Sequence, residues 1–109
     1  MFGFKKNDKT EEKQKISKEY TLINIDQNIV KKYLDSFKTM LYVHFIVYNN
    51  NTQIHVYSED TEIVGDIKPE DVKEILDMGF TSGVVFLKKT INDTTGEIEY
   101  TTGNVICSK

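Results

Sequence analysis

The chain repeats one sequence pattern at a distance of 42 residues, and this echo constrains its fold more than any other feature. When residues 19–47 are set over residues 61–89 without a gap, seven positions carry identical residues. Both segments show a short β-prone run, a capped helix and then a hairpin, in that order. We therefore predict two related structural units. The identical positions of the first segment are Ile25, Val30, Lys31, Leu34, Asp35, Thr39 and Val43.

Length and composition indicate one small domain preceded by a tail. The 109 residues are 39% hydrophobic and 28% charged, which is enough to close a core without disulfides or metal. Residues 1–18 carry six lysines and three acidic residues, whereas residues 19–109 carry eight lysines and 14 acidic residues. We expect residues 1–18 to be a flexible basic tail and residues 19–109 to be a single α+β domain.

Sequence features favour a cytoplasmic protein that does not insert into a membrane. Cys107 is the only cysteine, and no charged leader with an apolar stretch opens the sequence. The longest apolar run, residues 41–48, is too short to cross a bilayer as a helix. The chain lacks Ala, Arg and Trp and is rich in Lys, Ile, Asn and Thr. This composition is typical of a low-GC bacterium or one of its phages or plasmids.

Two helices are indicated by caps and by the spacing of apolar residues. Asp26 is placed to cap the first helix, after which apolar residues recur at i, i+3, i+4 and i+7. Pro69 suits the first turn of the second helix, and Gly79 suits its left-handed C-terminal cap. The first helix is expected to bury one stripe, which consists of Val30, Tyr33, Leu34 and Phe37.

Two hairpins complete the pattern. The first joins residues 41–48 to residues 53–57 through an asparagine-rich turn. If Tyr48 faces Gln53, apolar side chains coincide on one side of the hairpin, which we expect the helices to cover. The second hairpin spans residues 83–91 and 97–106. The side expected to be covered carries Leu41, Val43, Phe45, Val47, Ile54 and Val56.

These elements predict an α+β fold in which an antiparallel sheet carries two helices on one face. Two plans use the same elements: a split βαβ (ferredoxin-like) plan with an extra C-terminal hairpin strand, and a tandem βαββ plan. The choice between them depends on whether residues 61–67 are a separate strand or an extension of the first hairpin.

The other side of the sheet is the main functional prediction, and we call it the Tyr/His face. A broad apolar-aromatic surface on a monomer generally marks a contact surface. The sequence therefore favours a non-catalytic interaction protein whose partner is a second copy, giving a homodimer, or another protein. The alternative is that the chain's own tail or last strand covers this face. The candidate binding residues are Tyr42, His44, Tyr48, His55, Tyr57 and Phe86.

Nucleic acid is the rival occupant of this face. A single-stranded nucleic-acid-binding module would use the aromatic rings of the sheet and the Lys-rich tail. This reading is less favoured, because the body is acidic, arginine is absent and residues 53–57 lack the strand motif of RNA-binding sheets.

Catalysis, metal binding and cofactor binding are not predicted. The sequence shows no nucleophile beside a base, no paired acids for a pocket and no glycine-rich phosphate loop. His44 and His55 point the same way in the predicted hairpin, but a stable metal site needs three or four ligands. The sequence therefore predicts neither an enzyme nor a metalloprotein.

Overall fold

A computed structural model describes residues 16–109 and contains two helices and eight strands in that part of the chain. Strands account for 48% and helices for 20% of the described residues. No helix in this part of the chain has the length and apolar character needed to cross a membrane. The helices are α1 (Gln27–Asp35) and α2 (Pro69–Met78). The strands are β1 (Ser17–Tyr20), β2 (Leu22–Ile23), β3 (Met40–Tyr48), β4 (Gln53–Ser58), β5 (Ile63–Ile67), β6 (Ser82–Ile91), β7 (Ile98–Thr102) and β8 (Val105–Ser108).

The strands form one antiparallel sheet that curves into a nearly closed barrel. Its strand order is β1-β8-β6-β3-β4-β5-β2, and β7 pairs with β6 outside this path. The outermost strands of this order, β1 and β2, are separated in the chain by Thr21 alone. The two edges of the sheet are therefore held together by the covalent chain.

The predicted α+β fold, with two helices on one face of an open sheet, is wrong. The chain is mostly β, so neither the ferredoxin-like plan nor the tandem βαββ plan on such a sheet describes it. The difference arises at residues 17–23, which form two strands with different partners: β1 pairs with β8, and β2 pairs with β5. These pairings join residues far apart in sequence, so local patterns do not report them. The predicted tail, residues 1–18, lies outside the described residues except for its last three.

The 42-residue echo has a structural counterpart. Helices α1 and α2 begin 42 residues apart, and so do strands β3 and β6. In the β3–β6 ladder, Tyr42 lies opposite Val84, its own echo position. Met40 pairs with Phe86, and their echo positions, Ser82 and His44, also pair with each other. This register relates the two segments by a local two-fold axis through the Tyr42–Val84 pair.

Apolar side chains from the strands and both helices fill the core. Val30 of α1 and Ile75 of α2 are fully buried with Val56, Val64 and Val105 of the strands. Helix α1 packs against β6 and β7, and α2 packs against β4. Full burial of one such side chain contributes about 1.5–3 kcal/mol. Helices of nine and ten residues are marginal alone, so the core holds them in place.

The predicted helix caps are confirmed. The Asp26 carboxylate accepts hydrogen bonds from the backbone N–H groups of Asn28 and Ile29, at 3.0 and 3.3 Å. Pro69 begins α2, and Gly79 ends it in the left-handed conformation with a φ of 78°. Both ends of α2 and the start of α1 therefore follow from local sequence.

Phe37 departs from the predicted buried stripe. Helix α1 ends at Asp35, and Phe37 lies in the following turn with a φ of 63° and a side chain that is 93% exposed. Its echo position is Gly79, so both helices are followed by a left-handed residue at the equivalent place. Glycine adopts this conformation without steric cost, but phenylalanine does not.

Replacing Phe37 by glycine is expected to stabilise the protein by about 0.5–1 kcal/mol, because strain is relieved and the exposed ring gives up little packing. The matched change at the echo position, Gly79→Ala, is expected to destabilise it by about 1 kcal/mol. Chemical denaturation measures both changes. Destabilisation of similar size by both substitutions would mean that the Phe37 ring packs against the protein in solution.

Tyr33 anchors α1 to the loop between β4 and β5. Its hydroxyl lies 3.1 Å from the Ser58 hydroxyl oxygen and 2.9 and 3.0 Å from the Asp60 and Glu62 carboxylates. Ser58 is fully buried, and its oxygen accepts the backbone N–H groups of Asp60 and Glu62. Burial and the two carboxylates, against the opposing effect of Ser58, together raise the pKa of Tyr33 to about 12.

Tyr33 is expected to make stability fall at high pH. Its folded-state pKa of about 12 lies above the ordinary value of about 10. Its stabilising contribution is therefore complete below pH 10 and is lost as the pH rises towards 12. Burial also raises the pKa of Tyr20, so in Tyr33→Phe the absorbance titration at 295 nm should lose one of two late-ionising tyrosines, whereas Tyr42→Phe should retain both. If Tyr33→Phe keeps the same late-ionising amplitude as the unsubstituted protein, the burial of this hydroxyl is disproved.

Candidate binding face

The candidate site is the outer face of strands β3 and β4. The predicted hairpin register is confirmed, with Tyr48 opposite Gln53, Ile46 opposite His55 and His44 opposite Tyr57. Successive side chains of a strand point to opposite faces, so the rings face away from the core. Val47, which is expected under the helices, is instead 37% exposed near the hairpin end. The inward side is buried at Leu41, Val43, Phe45, Ile54 and Val56.

Four rings of this face form a continuous row, which we call the ring row: His44, Tyr57, His55 and Tyr48. The His44 and Tyr57 ring centroids lie 5.9 Å apart, and those of Tyr48 and His55 lie 4.1 Å apart; both pairs are stacked. His55 and Tyr57 meet edge to face at 6.0 Å. Stacked and edge-to-face contacts are the arrangements that aromatic rings favour. The ring orientations are therefore fixed by contacts within the face.

All six predicted residues lie on the same outer surface. The four members of the ring row are half-buried, whereas Tyr42 is 57% and Phe86 is 47% exposed. Phe86 reaches this surface because it lies opposite Met40 in the β3–β6 ladder, two residues along β3 from Tyr42. The face therefore presents aromatic surface to solvent along most of β3.

Asp66 of strand β5 contacts the ring row and is not among the residues predicted from the sequence. It lies opposite His55 in the β4–β5 ladder, and its Oδ1 is 2.6 Å from the His55 Nδ1. The second carboxylate oxygen accepts a hydrogen bond from the Asn24 side-chain amide at 3.0 Å. No local pattern identifies Asp66, because the pairing of β5 with β4 is what places it there.

Electrostatically, the face combines the Asp66 carboxylate with a body of net negative charge. The outward positions of β3 and β4 carry no lysine, and within residues 16–109 no lysine forms an ion pair with Asp66. The described part of the chain has nine lysines and 14 acidic residues, a net charge of −5. A cationic partner would therefore be attracted both by the local carboxylate and by the whole body.

A cavity of about 110 Å³ lies at the Tyr48 end of the ring row. A larger cavity of about 340 Å³ lies between the start of α1 and the β6–β7 hairpin and contains no aromatic ring. The smaller cavity is lined by Ile23, Asn24, Tyr48, Thr52, Gln53, Ile54, Asp66, Ile67 and Pro69. The smaller one alone includes Asp66 and a member of the ring row.

The described residues offer little for metal or nucleophilic chemistry. Residues 16–109 contain no group of three or more His, Cys, Asp or Glu side chains able to hold a metal ion. Cys107 is fully buried in β8, and burial raises the pKa of its thiol to about 11. At neutral pH only about one thiol in 10⁴ is then ionised, and the thiolate is the nucleophilic form.

No protein-family model matches the chain, and no curated protein or solved structure matches it either. The geometry and charge of the Tyr/His face therefore carry the functional proposal.

Cys107 is expected to react with iodoacetamide only when the protein unfolds. Native protein at pH 8 should be alkylated at least about a hundredfold more slowly than protein in denaturant, because the thiol is buried and protonated. Mass spectrometry gives both rates. The exposed neighbouring position supplies a control, since Ser108→Cys in a Cys107→Ser background should react fast in the native state. Equal rates for native and denatured Cys107 would contradict its burial.

Proposed function

We propose that the protein is a non-catalytic binding module that docks a positively charged segment of another protein on the Tyr/His face. The ring row carries this proposal. It presents partly exposed rings that are held by stacking and lie beside the Asp66 carboxylate.

The aromatic surface supports a binding role. Exposed apolar patches generally mark contact surfaces, and tyrosine is among the residues that contribute most to protein interfaces. Tyr42 is 57% exposed, so burial under a partner would remove much of its ring from water. The stacked Tyr48 and Tyr57 are already ordered, so binding costs little additional side-chain entropy.

Charge favours a cationic partner over a second copy of this chain. Two acidic bodies would repel each other across a homodimer interface, and the outward positions of β3 and β4 hold no lysine to offset this repulsion. Lysine or arginine side chains, by contrast, are attracted to tyrosine faces and to carboxylates. A basic segment of a different protein therefore fits both features of the face.

The rival nucleic-acid reading has weaker support. Bases stack on exposed aromatic rings, but affinity for nucleic acid depends largely on cations that contact phosphates. Lys88 and Lys89 lie in the part of β6 that pairs with β7, whereas Asp66 lies beside the rings. Cytoplasmic location and a phage or plasmid origin stay predictions from composition.

A pair of matched peptides tests the proposal. One alternates leucine and lysine, and the other carries glutamate in place of lysine. Titration of ¹⁵N-labelled full-length protein with the lysine peptide is expected to shift amide signals of β3 and β4, whereas the glutamate peptide shifts none. Affinity should fall as salt rises, because screening shortens the range of attraction from about 10 Å at 0.1 M to about 3 Å at 1 M.

Substitutions localise this binding. Tyr42→Ser with Tyr57→Ser should weaken it at least tenfold, as expected for removal of contact residues worth more than about 1 kcal/mol. The control is Ile91→Ser with Ile98→Ser, since these side chains are also exposed but lie in the β6–β7 hairpin. Three outcomes would overturn the proposal: equal binding of the glutamate peptide, a dimer by light scattering that the tyrosine substitutions dissociate, or capture of single-stranded oligonucleotide by this face at low salt.

A further inference from the structure

We infer that the cavity at the Tyr48 end of the ring row is a subsite for the guanidinium group of an arginine side chain. This inference rests on the proposed function, because the arginine would belong to the docked basic segment. It assigns to that segment one required residue and one place of contact.

The cavity matches this group in size. Its volume is about 110 Å³, which is several times the space that one buried water molecule needs. A guanidinium group has one carbon and three nitrogen atoms, so the cavity has room for it.

Asp66 supplies the matching charge in a fixed orientation. The His55 Nδ1 contacts one carboxylate oxygen at 2.6 Å, and the Asn24 amide donates to the other at 3.0 Å. Each oxygen of an ionised carboxylate can accept about two hydrogen bonds, so both retain capacity for a further donor. The Asp66 side chain is only 23% exposed, so its charge is less screened than one on the open surface.

The remaining walls suit the rest of an arginine side chain. The Tyr48 ring is held by its stacking on His55 at 4.1 Å, and arginine stacks readily on such rings. The exposed Pro69 and the half-buried Ile23 add apolar surface against which the arginine methylene groups can pack.

Planarity distinguishes arginine from lysine at this site. A flat group with donors in its plane can donate hydrogen bonds to the carboxylate and stack on the aromatic ring at the same time. The ammonium group of lysine is instead compact and strongly hydrated. This chain contains no arginine. A second copy therefore has no arginine to place in the subsite, and an arginine bound there must belong to a different protein.

Three blocked tripeptides test the subsite: Gly-Arg-Gly, its citrulline counterpart and its lysine counterpart. Citrulline keeps the shape of arginine but removes its charge. In titrations of ¹⁵N-labelled full-length protein, the arginine peptide is expected to shift the amides of Asn24, Tyr48 and Asp66 with a dissociation constant on the order of 1 mM. The citrulline peptide should bind at least tenfold more weakly, and the lysine peptide should fall between them.

Matched substitutions separate the subsite from general acidity. Asp66→Asn should weaken arginine binding at least tenfold, whereas Glu99→Gln, which neutralises an acid of the larger cavity, should leave it unchanged. Tyr48→Leu should weaken binding of the arginine peptide more than binding of the lysine peptide, because it removes the stacking surface. The ¹⁵N spectrum of each free variant verifies its fold.

The inference is overturned if citrulline binds as well as arginine, if Glu99→Gln has the effect of Asp66→Asn, or if the shifted amides lie away from the cavity. Such a failure would leave binding of the leucine–lysine peptide to the Tyr/His face intact. Failure of the proposed function would instead abolish that binding, so the two failures are distinguishable.

Discussion

Closure of the sheet depends on one short segment, residues 17–23, which pairs with strands at both ends of the sheet order. Residues 17–20 form a ladder with β8, and residues 22–23 pair with β5. Tyr20 and Leu22 are both buried, so the segment also supplies side chains to the core. The Tyr20 hydroxyl donates to Glu74 of α2 at 2.8 Å, which ties this segment to a helix. Without it, β5 and β8 would become open edges with unpaired backbone groups.

Because the barrel interior is filled, the surface available for recognition is the outside of the sheet. The hairpin of β3 and β4 turns its rings outward as it buries its aliphatic side chains inward. The pairing of β4 with β5 then brings Asp66 against His55. Aromatic surface and negative charge thus meet at one place, where a basic partner can gain from both.

The predictable parts of this protein are those specified by short-range patterns. The Asp26 and Gly79 caps and the β3–β4 register follow from residues close in sequence, because capping and hairpin pairing are local interactions. The exposure of Phe37 could not be predicted in this way, because the spacing of apolar residues does not show that α1 ends at Asp35. The place of Asp66 in the site could not be predicted either, because its neighbour His55 lies on another strand.

The sequence by itself determined the positions of both helices, the 42-residue echo and the outward alternation of the Tyr/His face, because capping preferences and side-chain periodicity act over a few residues. Only the tertiary structure decided that the sheet closes on itself and that a carboxylate stands beside the ring row. Both outcomes depend on strand pairings between distant residues, where many partners are locally equivalent and the packing of the whole core selects among them.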